Sequence, residues 1–272
     1  MVIRDRLPAL LALAIPVLAG AAYMALAGAP AHYAWINLGA LVIVAPWIIH
    51  GRGPHTATSR HLLTVAMLVL LLAPLAVSPS LPSVMGEPVR RWFPLGPLAL
   101  HTGMLALPAL GMLAARNRTL AAPILLAALA AVFLQPDAAS GFAITFAAVG
   151  LHHVHRDWKV GLVAAAGFVA SLMMAMRGEL APQPFVERVL VDAAQTSVIA
   201  TVLLVLAFGA CFALTLLALP FDRAKRFTLA GLLFGFGIMS LMSHYPAPLI
   251  GYGAAPILGF GLAFGLHRIP KR

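Results

Sequence analysis

The sequence predicts an all-α polytopic membrane protein of about ten transmembrane helices, and three observations carry that prediction. Hydrophobic residues fill 62% of the 272 positions and charged residues only 10%, too little polar material to cover a soluble globule. Apolar runs recur along the chain at lengths near the roughly 17–25 residues that a bilayer-spanning helix needs. Lys and Arg gather in alternate connections between those runs.

The spans are expected at about 8–28, 33–49, 61–79, 97–115, 119–134, 140–155, 158–176, 189–219, 227–243 and 249–267. The fifth and sixth are short enough to be partly re-entrant. The charge count tests the number of spans, because a wrong parity would scramble the sum over alternate loops. One side receives Arg4, Arg6, Arg52, Arg60, Arg116, Arg118, Arg156, Lys159, Arg223, Lys225, Arg226, Arg268, Lys271 and Arg272, the other only Arg90, Arg91, Arg177 and Arg188. By the positive-inside rule the richer side is cytoplasmic and holds both termini. The chain then reads as a single transmembrane domain over 1–272, with its longest outer loops at about 80–96 and 177–188.

The net charge of +10 therefore follows from topology. Its scatter through short loops forms no continuous footprint for nucleic acid, and suits anchoring to anionic membrane lipids. Ala25, Ala27 and Ala29 could end a signal peptide, but the first apolar stretch is long for one and is read as a retained span. Cys211, the single cysteine, lies mid-span, which leaves no intramolecular disulfide and no Cys-rich metal site.

Function is sought in the long outer loops, where non-spanning segments pack over a bundle. The first carries Arg90-Arg91-Trp92. Paired guanidinium donors fit phosphate oxygens, and the alternative is snorkelling arginines with Trp92 in the interfacial aromatic belt. The second is expected to bring Arg177, Glu179, Glu187 and Arg188 together, as a catalytic base flanked by cations or as a surface ion pair. Asp137, after Pro136, is placed to cap the sixth span. Asp192 enters an apolar run, where a carboxylate is costly unless paired or lining a polar cavity. His152, His153 and His155 with Asp157 supply ligand types for a metal but no second cluster at a recognised spacing, so helix-end contacts are the preferred reading. The chain has no Gly-rich phosphate loop, HExxH or GxSxG arrangement, which leaves a nucleotide-driven transporter and a membrane metalloprotease without support.

Three stretches, in order, resemble the SEDS (FtsW/RodA-like) family of cell-wall glycosyltransferases. Arg90-Arg91-Trp92-Phe93-Pro94-Leu95-Gly96 is similar to its RW-x-x-LG outer loop. Leu134-Gln135-Pro136-Asp137 with Ala139 to Gly141 is similar to QPDLGTA, and Pro246 to Ala255 to LPFISYGGSS. The resemblance covers most of the chain from about residue 85.

What the resemblance implies is ten membrane helices in the bacterial inner membrane, both termini cytoplasmic. The implied reaction is peptidoglycan-type polymerisation of a polyprenyl-diphosphate-linked sugar on the outer face, with a single-span transpeptidase as partner. No cofactor is implied, although a divalent cation is compatible with the chemistry. Glu187 takes the position of the family's essential acid, with Asp192 as alternative, and Arg188 beside it should favour the ionised carboxylate. Arg90, Arg91, Trp92, Asp137, Arg177, Arg188 and Tyr252 become the candidate substrate contacts. The chain departs from the family where QPSELxK is replaced by His101 to Leu107, without acid or lysine, and where GGSS becomes Gly253-Ala254-Ala255-Pro256. Those losses keep open a non-catalytic binder or transporter of a polyprenyl-linked lipid. An unrelated solute transporter would show repeated halves, and the chain has no convincing internal repeat.

Overall fold

The computed structural model describes residues 2–84, 86–96 and 98–267. Among these residues eleven helices form the bundle: α1 (Val2–Leu26), α2 (Ala31–His50), α3 (Ala57–Val77), α4 (Thr102–Arg116), α5 (Arg118–Phe133), α6 (Ala138–His155), α7 (Trp158–Arg177), α8 (Val189–Thr196), α9 (Val198–Ala213), α10 (Arg223–Met242) and α11 (Ala254–Gly265). A π-helical turn, Leu214–Ala218, prolongs α9. Among the described residues six helices, α1, α2, α3, α7, α9 with its extension and α10, are long and apolar enough to cross a membrane. The pattern of exposure suits lipid, since Val42, Ile43 and Leu206 are more than 60% exposed on helices whose outward faces carry no charge to hydrate.

Short polar side chains mark the helix starts by accepting free backbone amides. Thr56 and Ser59 form a capping box on α3, while Asn117, Asp157 and Asp222 cap α5, α7 and α10. Ser197 accepts from the Ala200 amide and so divides the expected span 189–219 into α8 and α9. Two other expected spans begin too early. Residues 98–101 are a strand, so the fourth helix starts at Thr102, and residues 249–253 are irregular, so the last starts at Ala254. The second segment is held inside by a polar partner: Asn37 of α2 donates to the Gly251 carbonyl at 2.8 Å and accepts from the Gly253 amide at 3.0 Å. Buried irregular backbone is tolerated at membrane depth when protein groups satisfy it in this way.

The long loop after α3 is also not helical. It forms two antiparallel ribbons, β1 (Leu81–Pro82) with β2 (Pro88–Val89), and β3 (Trp92–Leu95) with β4 (Leu98–His101), the second in register Trp92 to His101. Position Gly96 turns this hairpin with φ +57°, a conformation that favours glycine.

Connections alternate between two ends. At the basic end, Arg6 donates to the carbonyls of Gly51 and Phe264, Arg118 to that of His155, and Arg223 meets His153. Arg268, Lys271 and Arg272, counted above, lie outside the described residues. The other end gathers the two long loops. Helix α10 packs along α6 more extensively than any other pair, and small residues permit it: a Cβ on Gly235 would lie 2.5 Å from backbone atoms of Phe142 and Ala143, the close approach typical of membrane helices. Nearly all of α4 is buried, so this 15-residue helix forms the centre of the bundle.

Candidate active site

Arg91 and Asp137 meet at the loop end, 1% and 0% exposed and 4.0 Å apart. Asp137 is fixed by its place in the backbone. Its Oδ1 accepts from the Ser140 amide and caps α6, as its position after Pro136 predicts. Its Oδ2 lies 3.5 Å from His101 Nε2. Arg91 is fixed by the ribbon: its carbonyl accepts from the Thr102 amide at 3.1 Å, and its guanidinium donates to the Gly178 carbonyl. The same guanidinium lies 4.8 Å from the ring centroid of Tyr245 and 5.3 Å from that of Trp92, within cation–π range. Tyr245, fully buried, accepts from the Ala138 amide at 3.3 Å and so ties the segment before α11 to the start of α6.

Glu187 belongs to the neighbouring layer. The residue is 6% exposed, and its Oε2 accepts from the Gln183 amide at 2.6 Å. Its backbone forms a bridge with Pro246, next to Tyr245, while the Ala247 amide donates to the Val186 carbonyl at 2.8 Å. The chain bends through the left-handed region on both sides of it, at Phe185 (φ 64°) and Arg188 (φ 55°). Such backbone costs energy in non-glycine residues and concentrates at functional sites. Burial raises the Glu187 carboxyl to about 7, against the Gln183 amide bond and the positive field of Arg91. The sequence assigned the cationic influence to Arg188; in the structure Arg91, brought from another loop, exerts it.

The four groups expected to cluster at 177–188 separate instead. Arg177 pairs with Glu87 at 4.0 Å and lies over the Phe133 ring. Glu179 accepts from Ser243 at 2.8 Å and meets His244 at 3.1 Å. Arg188 is half-buried at the start of α8. Arg90 is exposed and donates to the Leu75 carbonyl at 3.0 Å, so it does not share a buried site with Glu187. Trp92 is half-buried against His101, ring to ring at 5.5 Å. Tyr252 stacks on Tyr33 at 3.8 Å, 9° between planes, and its amide donates to the Phe185 carbonyl. Asp192 lines a cleft of about 1030 Å³ between α1 and α8–α9, walled by Tyr23, Phe185, Val189 and Thr196.

Sequence reading missed Tyr245, His101, Tyr33 and Gly178. Only His101 carried a signal, a polar residue immediately before an apolar run. No group of three His, Cys, Asp or Glu among the described residues could hold a metal ion; the 152–155 histidines make helix-end contacts instead, His152 meeting the Asp157 carbonyl at 2.8 Å.

This architecture is a multi-pass membrane bundle of the SEDS (RodA/FtsW-like) fold. Similar solved structures include the rod shape determining protein RodA of Thermus thermophilus, at TM-score 0.66 and 20% identity over 94% of this chain and 92% of that one. A mutant of the same RodA matches at TM-score 0.63 and 20% identity, covering 94% and 93%. A chain from a peptidoglycan synthase complex, described as coordinating polymerisation and crosslinking, matches at TM-score 0.61 and 21% identity over 94% and 95%. No family model and no curated protein matches the sequence.

Proposed function

We propose that the chain is a SEDS-like glycosyltransferase polymerising a polyprenyl-diphosphate-linked sugar of the peptidoglycan type. The observation that carries this reading is Glu187, a buried carboxylate poised at about 7 in the field of a buried arginine. A general base works best with a pKa near the working pH. In the proposed step an acceptor hydroxyl attacks the anomeric carbon, forming the new C–O bond as the bond to the lipid diphosphate breaks. The hydroxyl proton passes to Glu187, and the diphosphate leaves with the bonding electrons, its charge met by cations or a divalent metal ion. The RodA-like fold supports the reaction class, and the Tyr33–Tyr252 stack offers a flat aromatic face at the same end.

The RodA-like fold supports the bacterial inner membrane, and the charge asymmetry supports both termini cytoplasmic with the Glu187 loop outside. Likeness to a chain from a peptidoglycan synthase complex supports a single-span transpeptidase as partner. One observation favours a second reading, a non-catalytic binder or transporter of the same lipid: Arg91 is committed to Asp137 and Gly178, and Arg90 to Leu75, so neither stands free for a diphosphate. The deciding experiment is polymerisation of a labelled lipid-linked disaccharide by purified protein in detergent. Polymer from the wild type and none from Glu187→Gln supports the enzyme; polymer from both moves the base elsewhere, with Asp192 next. Lipid binding without polymer from either selects the binder.

A further inference from the structure

We propose that the basic end of the bundle holds a phosphate-binding site, formed where the last turns of α4 and α11 meet the first turn of α10. The cavity there has a volume of about 80 Å³ and is lined by Pro54, Met112, Leu113, Arg116, Lys225, Leu266 and His267. One water needs about 10–15 Å³ of such space, so the cavity admits a group of several heavy atoms. Every ionisable side chain in its wall is basic, and no carboxylate lines it.

The cations are under-compensated. Arg116 is exposed and has no ion pair among the described residues, and Arg60 adds its charge nearby. Lys225 has one partner, Asp222, at the cap of α10. Arg6 is spent on three carbonyls at the end of α11 and beside it. Burial, then the charges of Lys225 and Arg6, push His267 down to about 4, against Asp222 and a hydrogen bond to the Pro220 carbonyl, so near neutral pH its ring is uncharged and its one N–H is already given to Pro220. A guanidinium that can bind two oxygens at once and an ammonium, Arg116 and Lys225, beside one small space are donors that a phosphate takes.

The other wall is apolar, Met112, Leu113 and Leu266, so the occupant that fits is a phosphate with a hydrocarbon attached. Basic pockets between membrane helices hold anionic head groups in this way. The shared chemistry is a phosphate; a phospholipid and free inorganic phosphate are its two sources. This inference does not rest on the glycosyltransferase reading.

The test uses the full-length protein, stripped of lipid in detergent and returned to nanodiscs of phosphatidylcholine with or without phosphatidylglycerol, in parallel with detergent samples titrated with inorganic phosphate. Bound lipid is counted by native mass spectrometry and stability by thermal unfolding. Wild type should retain one phosphatidylglycerol and melt higher with it, and Arg116→Gln/Lys225→Gln should bind at least tenfold more weakly. Arg156→Gln, which removes a basic residue at the same end outside the cavity, should behave as wild type. If the double variant does not fold, Arg116→Gln alone replaces it. Stabilisation of wild type by inorganic phosphate alone, lost in the variant, would keep the site and assign it to the free anion. Equal phosphatidylglycerol and phosphate responses in wild type and variant would overturn it.

Discussion

Arg91 and Asp137 are 46 positions apart in the chain, 4.0 Å apart in space, and all but sealed from solvent. Each is also held by backbone, Arg91 through Gly178 and Asp137 through the start of α6. The pair therefore locks the β3–β4 ribbon, the α6 start and the α7 end into one unit, over which the Glu187 loop is laid.

Breaking one side of that pair leaves a buried charge without its partner, a loss typically worth about 3–5 kcal/mol. Arg91→Ala should accordingly lower the thermal unfolding midpoint in detergent strongly. Asp137→Asn keeps an oxygen to cap α6 and so should cost less than Asp137→Ala. Equal midpoints for wild type and Arg91→Ala would mean that the pair does not hold these loops.

Replacing Glu187 by Gln removes proton acceptance while keeping the acceptor oxygen for the Gln183 amide. The expected loss in polymerisation rate is about 10²–10⁴-fold, at unchanged unfolding midpoint. A parallel fall in midpoint would assign Glu187 to structure.

The pH dependence follows from the same carboxyl. A base with its pKa raised to about 7 is mostly protonated below that value and ionised above it. Polymerisation should rise about tenfold per pH unit below 7 and level off above it. A rate already flat between pH 5 and 7 would exclude Glu187 as the base.

Gly235 faces the backbone of α6, where a Cβ would come to 2.5 Å of Ala143 and Phe142. Gly235→Val should force α6 and α10 apart and destabilise by at least the roughly 1–3 kcal/mol of an overpacked core. Gly28→Ala tests a different cause: that residue has open space but φ +82°, so only the smaller backbone strain, about 1–2 kcal/mol, should be lost.

The membrane bundle and its two-ended order are legible in the amino-acid sequence. Both are one-dimensional properties: an apolar run must be helical in lipid because its amides have no other partner, and basic residues mark alternate loops by their position alone. Asp137 as a cap was legible for the same reason, since a cap acts three residues away. The ends of α4, α8 and α11 were not, because His101, Ser197 and Asn37 stop or replace helix by hydrogen bonds that hydropathy does not register. The site lay furthest from view. Glu187 could be picked out as a carboxylate at a loop, but its neighbours in the chain, Arg177 and Arg188, are not the groups that govern it. Burial does so, against the Gln183 amide and the smaller field of Arg91, and the bridging Pro246 and Arg91 come from segments roughly 60 and 100 positions away, which only tertiary packing brings together.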